Sequence, residues 1–270
     1  MGKYEQLADK VEFYLDNNRL SEIQEFLIEN SNLPGRRANL ELAKAFGDYF
    51  EGKVIDDELW DMLHSFSSIN NCDAPTNDPK EFLPFCALQA FGSIYLYLDK
   101  QKRAIIFSLL KNSMNDPRWR IREAVAMSFQ RIAEKDFQVI RELISFSYKD
   151  SNFLEKRAFA CALAHPPILS KKENVLFCLH ISEEILKDIN NLNPTDYRNE
   201  SFKILQKGME YAISVFVAEL PTEGFNMMKN YAMIDNEIIK KIIKSNINKN
   251  RLRKKYIEKV DEISDILITD

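Results

Sequence analysis

Four arginines fall within fourteen residues, Arg118, Arg120, Arg122 and Arg131, and Trp119 stands among the first three. A guanidinium presents a planar fork of donors that matches two phosphate oxygens at once, so a cluster of this kind suits phosphate binding. An indole beside it suits stacking on a base or on a partner's side chain. Both features also have an internal reading. Arg122 can pair with Asp116 or with Asp150, and Trp119 aligns with Phe153 at the same point of a repeat, where aromatic packing between units serves as well. The spacing leaves these alternatives open.

Other chemistry-bearing groups are sparse. Arg36 and Arg37 follow Pro34-Gly35 at the start of a helical pattern, where the helix dipole disfavours cations, and that placement suits a ligand, a nearby acid or plain solvation. Asn77, Asp78 and Glu81 form an acidic turn, which reads either as weak metal ligation or, more simply, as helix capping by Asp78. His64, His165 and His180 lack HxxH and HExxH spacing, and Cys72, Cys86, Cys161 and Cys178 form no CxxC pair. The cysteines read as reduced core thiols, and neither a metal site nor a cofactor is expected. There is no GxSxG, P-loop or GxGxxG run, and no catalytic residue is assigned.

The elements that must position these residues are helices. Of 270 residues 45% are apolar and 29% charged, while glycine occurs only 7 times, too rarely for hairpins or phosphate-cradling loops. Apolar residues recur at steps of three and four, as in Leu59, Leu63 and Phe66, or Ile121, Val125, Phe129 and Ile132. Asp78-Pro79 and Asp116-Pro117 each place a capping acid before a first-turn proline. Residues 70–79 and 190–200 read as polar loops, and no apolar run is long enough to span a membrane. The net charge of −4 supplies no global field for nucleic acid. Lys240 to Lys259 is the exception: nine Lys or Arg face one acid, Glu258, along an amphipathic helical pattern. That segment suits nucleic acid, a membrane surface or an acidic partner, or else neutralisation by the acids that follow, Asp261, Glu262, Asp265 and Asp270. With no apolar signal run at the N-terminus, the chain reads as cytoplasmic.

The stretch from Asp116 to Ala126 repeats 34 residues later from Asp150 to Ala160, with acid, aromatic, base and paired alanines in register. A fixed period of this size means stacked supersecondary units. The unit resembles the HEAT repeat, two antiparallel helices with an Asp in the turn between them and an Arg or Lys six residues on. Asp116 with Arg122 and Asp150 with Lys156 fit that spacing, and Ala124, Ala126, Ala158 and Ala160 supply the small residues. Arg36 with Ala38 resembles a degenerate copy without the Asp. The resemblance implies an all-α, right-handed superhelix of antiparallel helix pairs, an armadillo-like α-solenoid in a single domain over residues 1–270. Its clearest repeats are 101–149 and 150–190, with basic capping helices over 240–270.

Arg118, Trp119 and Arg122 also resemble the aromatic-plus-arginine pattern of HEAT-like DNA alkylation-repair glycosylases, which grip DNA on a concave cationic face. That family places a catalytic Asp one repeat upstream, where this chain offers Glu81 and aromatics but no Asp between Glu81 and Ala90. The resemblance therefore transfers the fold and not the activity. The expected function is a non-enzymatic scaffold binding a protein partner on its concave face, through Arg118, Trp119, Arg122, Lys156 and Arg157, continued by Arg36 and Arg37. The alternative is a DNA-binding protein or glycosylase of the alkylation-repair type.

Overall fold

The computed structural model describes residues 2–269, and these are helical with no strand among them. The chain divides into two compact units, Met1–Lys135 and Asp136–Asp270.

The first unit holds α1 (Lys3–Asp16), α2 (Leu20–Glu29), α3 (Leu40–Tyr49), α4 (Asp57–Ser67), α5 (Phe82–Ile94), α6 (Lys100–Ser113) and α7 (Trp119–Lys135). Its centre is α5, whose thirteen residues, FLPFCALQAFGSI, are all buried. A helix apolar around its whole circumference has to be covered on every side. Here α7, α3 and α4 pack against it most extensively, and α2 adds to the cover. Helix α3 in turn packs on α1, so the alternate helices α1, α3, α5 and α7 follow one another, with α6 set against α7. The closest approach is between α5 and α7 at Gly92, where an added Cβ would stand 2.6 Å from the Ser128 carbonyl oxygen. At Gly47 a Cβ would meet the Arg131 guanidinium at 2.7 Å, and the bare backbone lets that side chain reach across. Arg131 donates to Asp48 Oδ1 at 2.7 Å and to Ser93 Oγ at 3.2 Å, tying α7 to α3 and α5.

The second unit holds α8 (Phe137–Ser147), α9 (Phe153–Leu163), α10 (Lys172–Asn190), α11 (Glu200–Glu219), α12 (Pro221–Ala232), α13 (Glu237–Ile247), α14 (Asn250–Arg253) and α15 (Ile257–Thr269). Helix α11 is its hub, with α9, α10, α12, α13 and α14 against it. Asn246, fully buried on α13, is inserted into the α11 ladder. Its Nδ2 donates to the Met209 carbonyl at 2.8 Å, and its Oδ1 accepts from the Ser214 N–H at 2.8 Å. A buried amide is tolerable when its donors and acceptor are engaged in this way.

The helix-start signals correspond to real caps. Asp78 accepts from the Lys80 N–H at 2.8 Å and Asp116 from the Arg118 N–H at 2.7 Å. Two details differ from the sequence pattern. Helix α12, opened by Pro221, carries no separate signal in the periodicity that runs up to that proline. The basic segment is three helices rather than one, interrupted after Ile247, where Asn248 Nδ2 takes up the Lys244 carbonyl at 2.9 Å and ends the run.

Candidate functional site

The turn before α7 is organised by Arg118. Its Nε and Nη2 grip the two Asp116 oxygens at 2.9 and 2.7 Å, a bidentate pair. Nη1 and Nη2 also reach the carbonyls of Ala74 and Ile69, at 3.1 and 2.9 Å. Arg118 is only 2% exposed, so its charge stitches the 69–74 loop to this turn instead of facing solvent. Arg122 does similar work nearer home, donating to the Asp116 and Pro117 carbonyls.

Arg120 is equally buried. Nη1 meets Glu81 Oε2 at 3.1 Å, Nη2 donates to the Gly35 carbonyl, and Glu81 is fully buried. Glu81 Oε2 also accepts from the Asn77 N–H at 2.9 Å, which closes the turn that begins α5. Glu81 Oε1 and Arg120 Nε have no hydrogen-bond partner among the described residues. The guanidinium lies 4.5 Å from the centre of the Trp119 ring, so the pair supports the indole from one side.

Trp119 itself is 44% exposed. It stands over a cleft of about 250 Å³ lined by Arg37, Ala38, Leu40, Phe85, Trp119, Arg120, Glu123 and Met127. The wall comes from the start of α3, the first turn of α5 and one flank of α7. Trp119, Glu123 and Met127 are spaced four apart and so share that flank. Arg37 is exposed at the rim and makes no ion pair or hydrogen bond among the described residues; Arg36, also exposed, does not line the cleft.

Of the residues singled out in the sequence, the structure thus brings Arg37 and Trp119 to one cleft and puts Arg118 and Arg122 beneath its edge as internal ties. Lys156 and Arg157 belong to the second unit, on α9. There Lys156 Nζ donates to Asp188 Oδ2 at 2.7 Å beside Tyr148, whose hydroxyl donates to the same oxygen at 2.7 Å. Burial, then that hydrogen bond, pushes the Tyr148 hydroxyl well above its usual range. Arg157 packs its aliphatic stem over Gly208 on α11. Leu40, Phe85, Glu123 and Met127 were missed as cleft residues. The step of four from Trp119 could have found Glu123 and Met127, whereas nothing local marks Leu40 or Phe85.

Among the described residues no three of His, Cys, Asp and Glu gather closely enough to hold a metal ion. No protein-family model matches this sequence, and no curated protein matches it.

Proposed function

We propose that the chain is a non-enzymatic, HEAT-like scaffold that holds a protein partner. The succession of α1, α3, α5 and α7 in the first unit supports stacked helix pairs of an α-solenoid. So does the position of Asp116 and Asp150, each in the turn that precedes the helix carrying Arg122 or Lys156. One observation carries the binding role: a half-exposed tryptophan, propped by Arg120, stands over an apolar cleft with an unpaired Arg37 at its rim. Aromatic and arginine side chains of this kind are the residues that dominate protein–protein contacts. A cytoplasmic setting is supported by Cys72, Cys86 and Cys178, none of which is in a disulfide.

A photo-crosslinking residue at Met127, on the cleft wall, tests the role in cells, with Val54, 97% exposed, as the control position. A protein adduct specific to Met127 and lost on Arg37→Glu is expected. A second reading, DNA binding of the alkylation-repair type, is favoured by the same indole, which suits a stacked base. It requires affinity for duplex DNA that falls steeply with salt and disappears on Trp119→Ala. A nuclease-sensitive adduct, or release of a base from alkylated DNA, would refute the scaffold.

A further inference from the structure

Most cations of the basic stretch from Lys240 to Lys259 meet no carboxylate among the described residues. Among the described residues only two of its nine cations approach a carboxylate: Lys240 lies 3.9 Å from Asp235 and Lys241 lies 3.7 Å from Glu210. Glu262, one of the acids that follow, pairs instead with Lys229. The side chains of Lys244, Lys254 and Lys255 are exposed and make no hydrogen bond or ion pair among the described residues. The others rest on uncharged groups. Arg253 donates to Asn248 Oδ1 at 2.7 Å, and Lys259 lies 5.5 Å from the centre of the Phe225 ring.

Two amphipathic or apolar side chains sit among these charges. Tyr211 is 49% exposed, with the Arg251 guanidinium 4.6 Å and Lys249 Nζ 5.9 Å from its ring centre, and its hydroxyl accepts from Arg251 at 2.9 Å. Ile257, 48% exposed, stands two residues after Lys255, at the start of α15. Long cationic stems, a tyrosine and an exposed aliphatic residue are the combination that suits the layer between headgroups and acyl chains. Arg251 and Lys249 crowd the Tyr211 ring, which makes it a poor platform for a stacked base. Among the described residues no helix is long and apolar enough to cross a bilayer, so contact of this kind is peripheral.

We propose that the α13–α14 face of the second unit, continued to Ile257, docks on an anionic lipid bilayer. The cations engage the headgroups, and Tyr211 and Ile257 enter the interfacial layer. The inference rests on the second unit alone and is independent of the cleft.

The full chain is sedimented with vesicles of phosphatidylcholine, with and without roughly one-third phosphatidylserine. Binding to the anionic vesicles only, reversed by salt, is expected. Each cation near such a surface contributes roughly a factor of five, so Lys244→Glu, Lys254→Glu and Lys255→Glu together should weaken binding at least about a hundredfold. Those side chains hold nothing in the fold, so the thermal transition of the triple variant should match that of the parent. Ile257→Ser should weaken binding severalfold without changing its salt dependence. Undiminished binding by the triple variant, or equal binding to neutral vesicles, would overturn the proposal. Tighter binding to a duplex DNA oligonucleotide, indifferent to Ile257→Ser, would overturn it in favour of nucleic acid.

Discussion

Removing Arg120 tests whether the arginine cluster serves the fold or a ligand. Its partner Glu81 is fully buried, and the pair is joined by a single 3.1 Å contact with one unsatisfied atom on each side. Arg120→Met leaves the Glu81 carboxylate with only the Asn77 N–H as donor. Breaking one side of a buried pair in this way costs about 3–5 kcal/mol. In a unit of this size that corresponds to a melting transition lower by roughly 10–20 °C. Replacing both partners, Glu81→Leu with Arg120→Met, removes the stranded charge and leaves the Gly35 carbonyl and the Asn77 N–H without these partners. The double variant should therefore be more stable than Arg120→Met alone by about 2 kcal/mol. Both tryptophans, Trp60 and Trp119, lie in the first unit, so fluorescence-detected urea unfolding reports on that unit directly. A loss below about 1 kcal/mol for Arg120→Met would refute the reasoning, as would a double variant as damaged as the sum of the singles.

Four further outcomes are expected. Gly92→Ala places a methyl group 2.6 Å from the Ser128 carbonyl and should destabilise the first unit by about 1–3 kcal/mol in the same assay, while Gly52→Ala, at a φ of 72° in open space, acts only through backbone strain. Asn246→Leu strands the Ser214 N–H and the Met209 carbonyl inside the second unit, and circular dichroism should show a loss of about 2–4 kcal/mol there. Burial holds the His64 imidazole, packed at an angle against Trp60 and edge-on to Phe91, below its ordinary pKa, with Asp61 opposing. Its unfolded form binds the extra proton, so stability should fall as pH drops below about 6.5, and His64→Leu should flatten that part of the profile. Burial alone would raise the Asp48 carboxyl, but hydrogen bonds from Lys44, Tyr4 and Arg131 outweigh it and hold the group low. The associated stability is present above about pH 4 and is lost at greater acidity, a step that Asp48→Asn should remove.

The helical class and most of the helix starts are legible in the sequence because caps and apolar periodicity are local signals. Asp78-Pro79 and Asp116-Pro117 show this directly. The roles of the arginines are not legible in the same way. Arg118 is anchored by the carbonyls of Ile69 and Ala74, and a carbonyl carries no residue-type signature at a distance of over forty positions. Arg120 finds Glu81 thirty-nine positions upstream, a partner that only the fold can select. Charge density alone therefore overstated the cationic character of the α7 face. Of residues 118–122 Trp119 is the exposed one, and the cleft it shares with Arg120 depends on Leu40 and Phe85, which belong to other helices.

The complete burial of α5 has a consequence for synthesis. The helix leaves the ribosome some forty residues before α7, its largest cover, is finished. At typical elongation rates this is an interval of roughly 2–8 s in which a sticky rod of three phenylalanines and two leucines lacks the cover of α7. A nascent chain in that condition is a natural client for a trigger-factor-like holdase. Slowing translation between codons 95 and 135 should therefore raise the aggregated fraction without altering the finished protein.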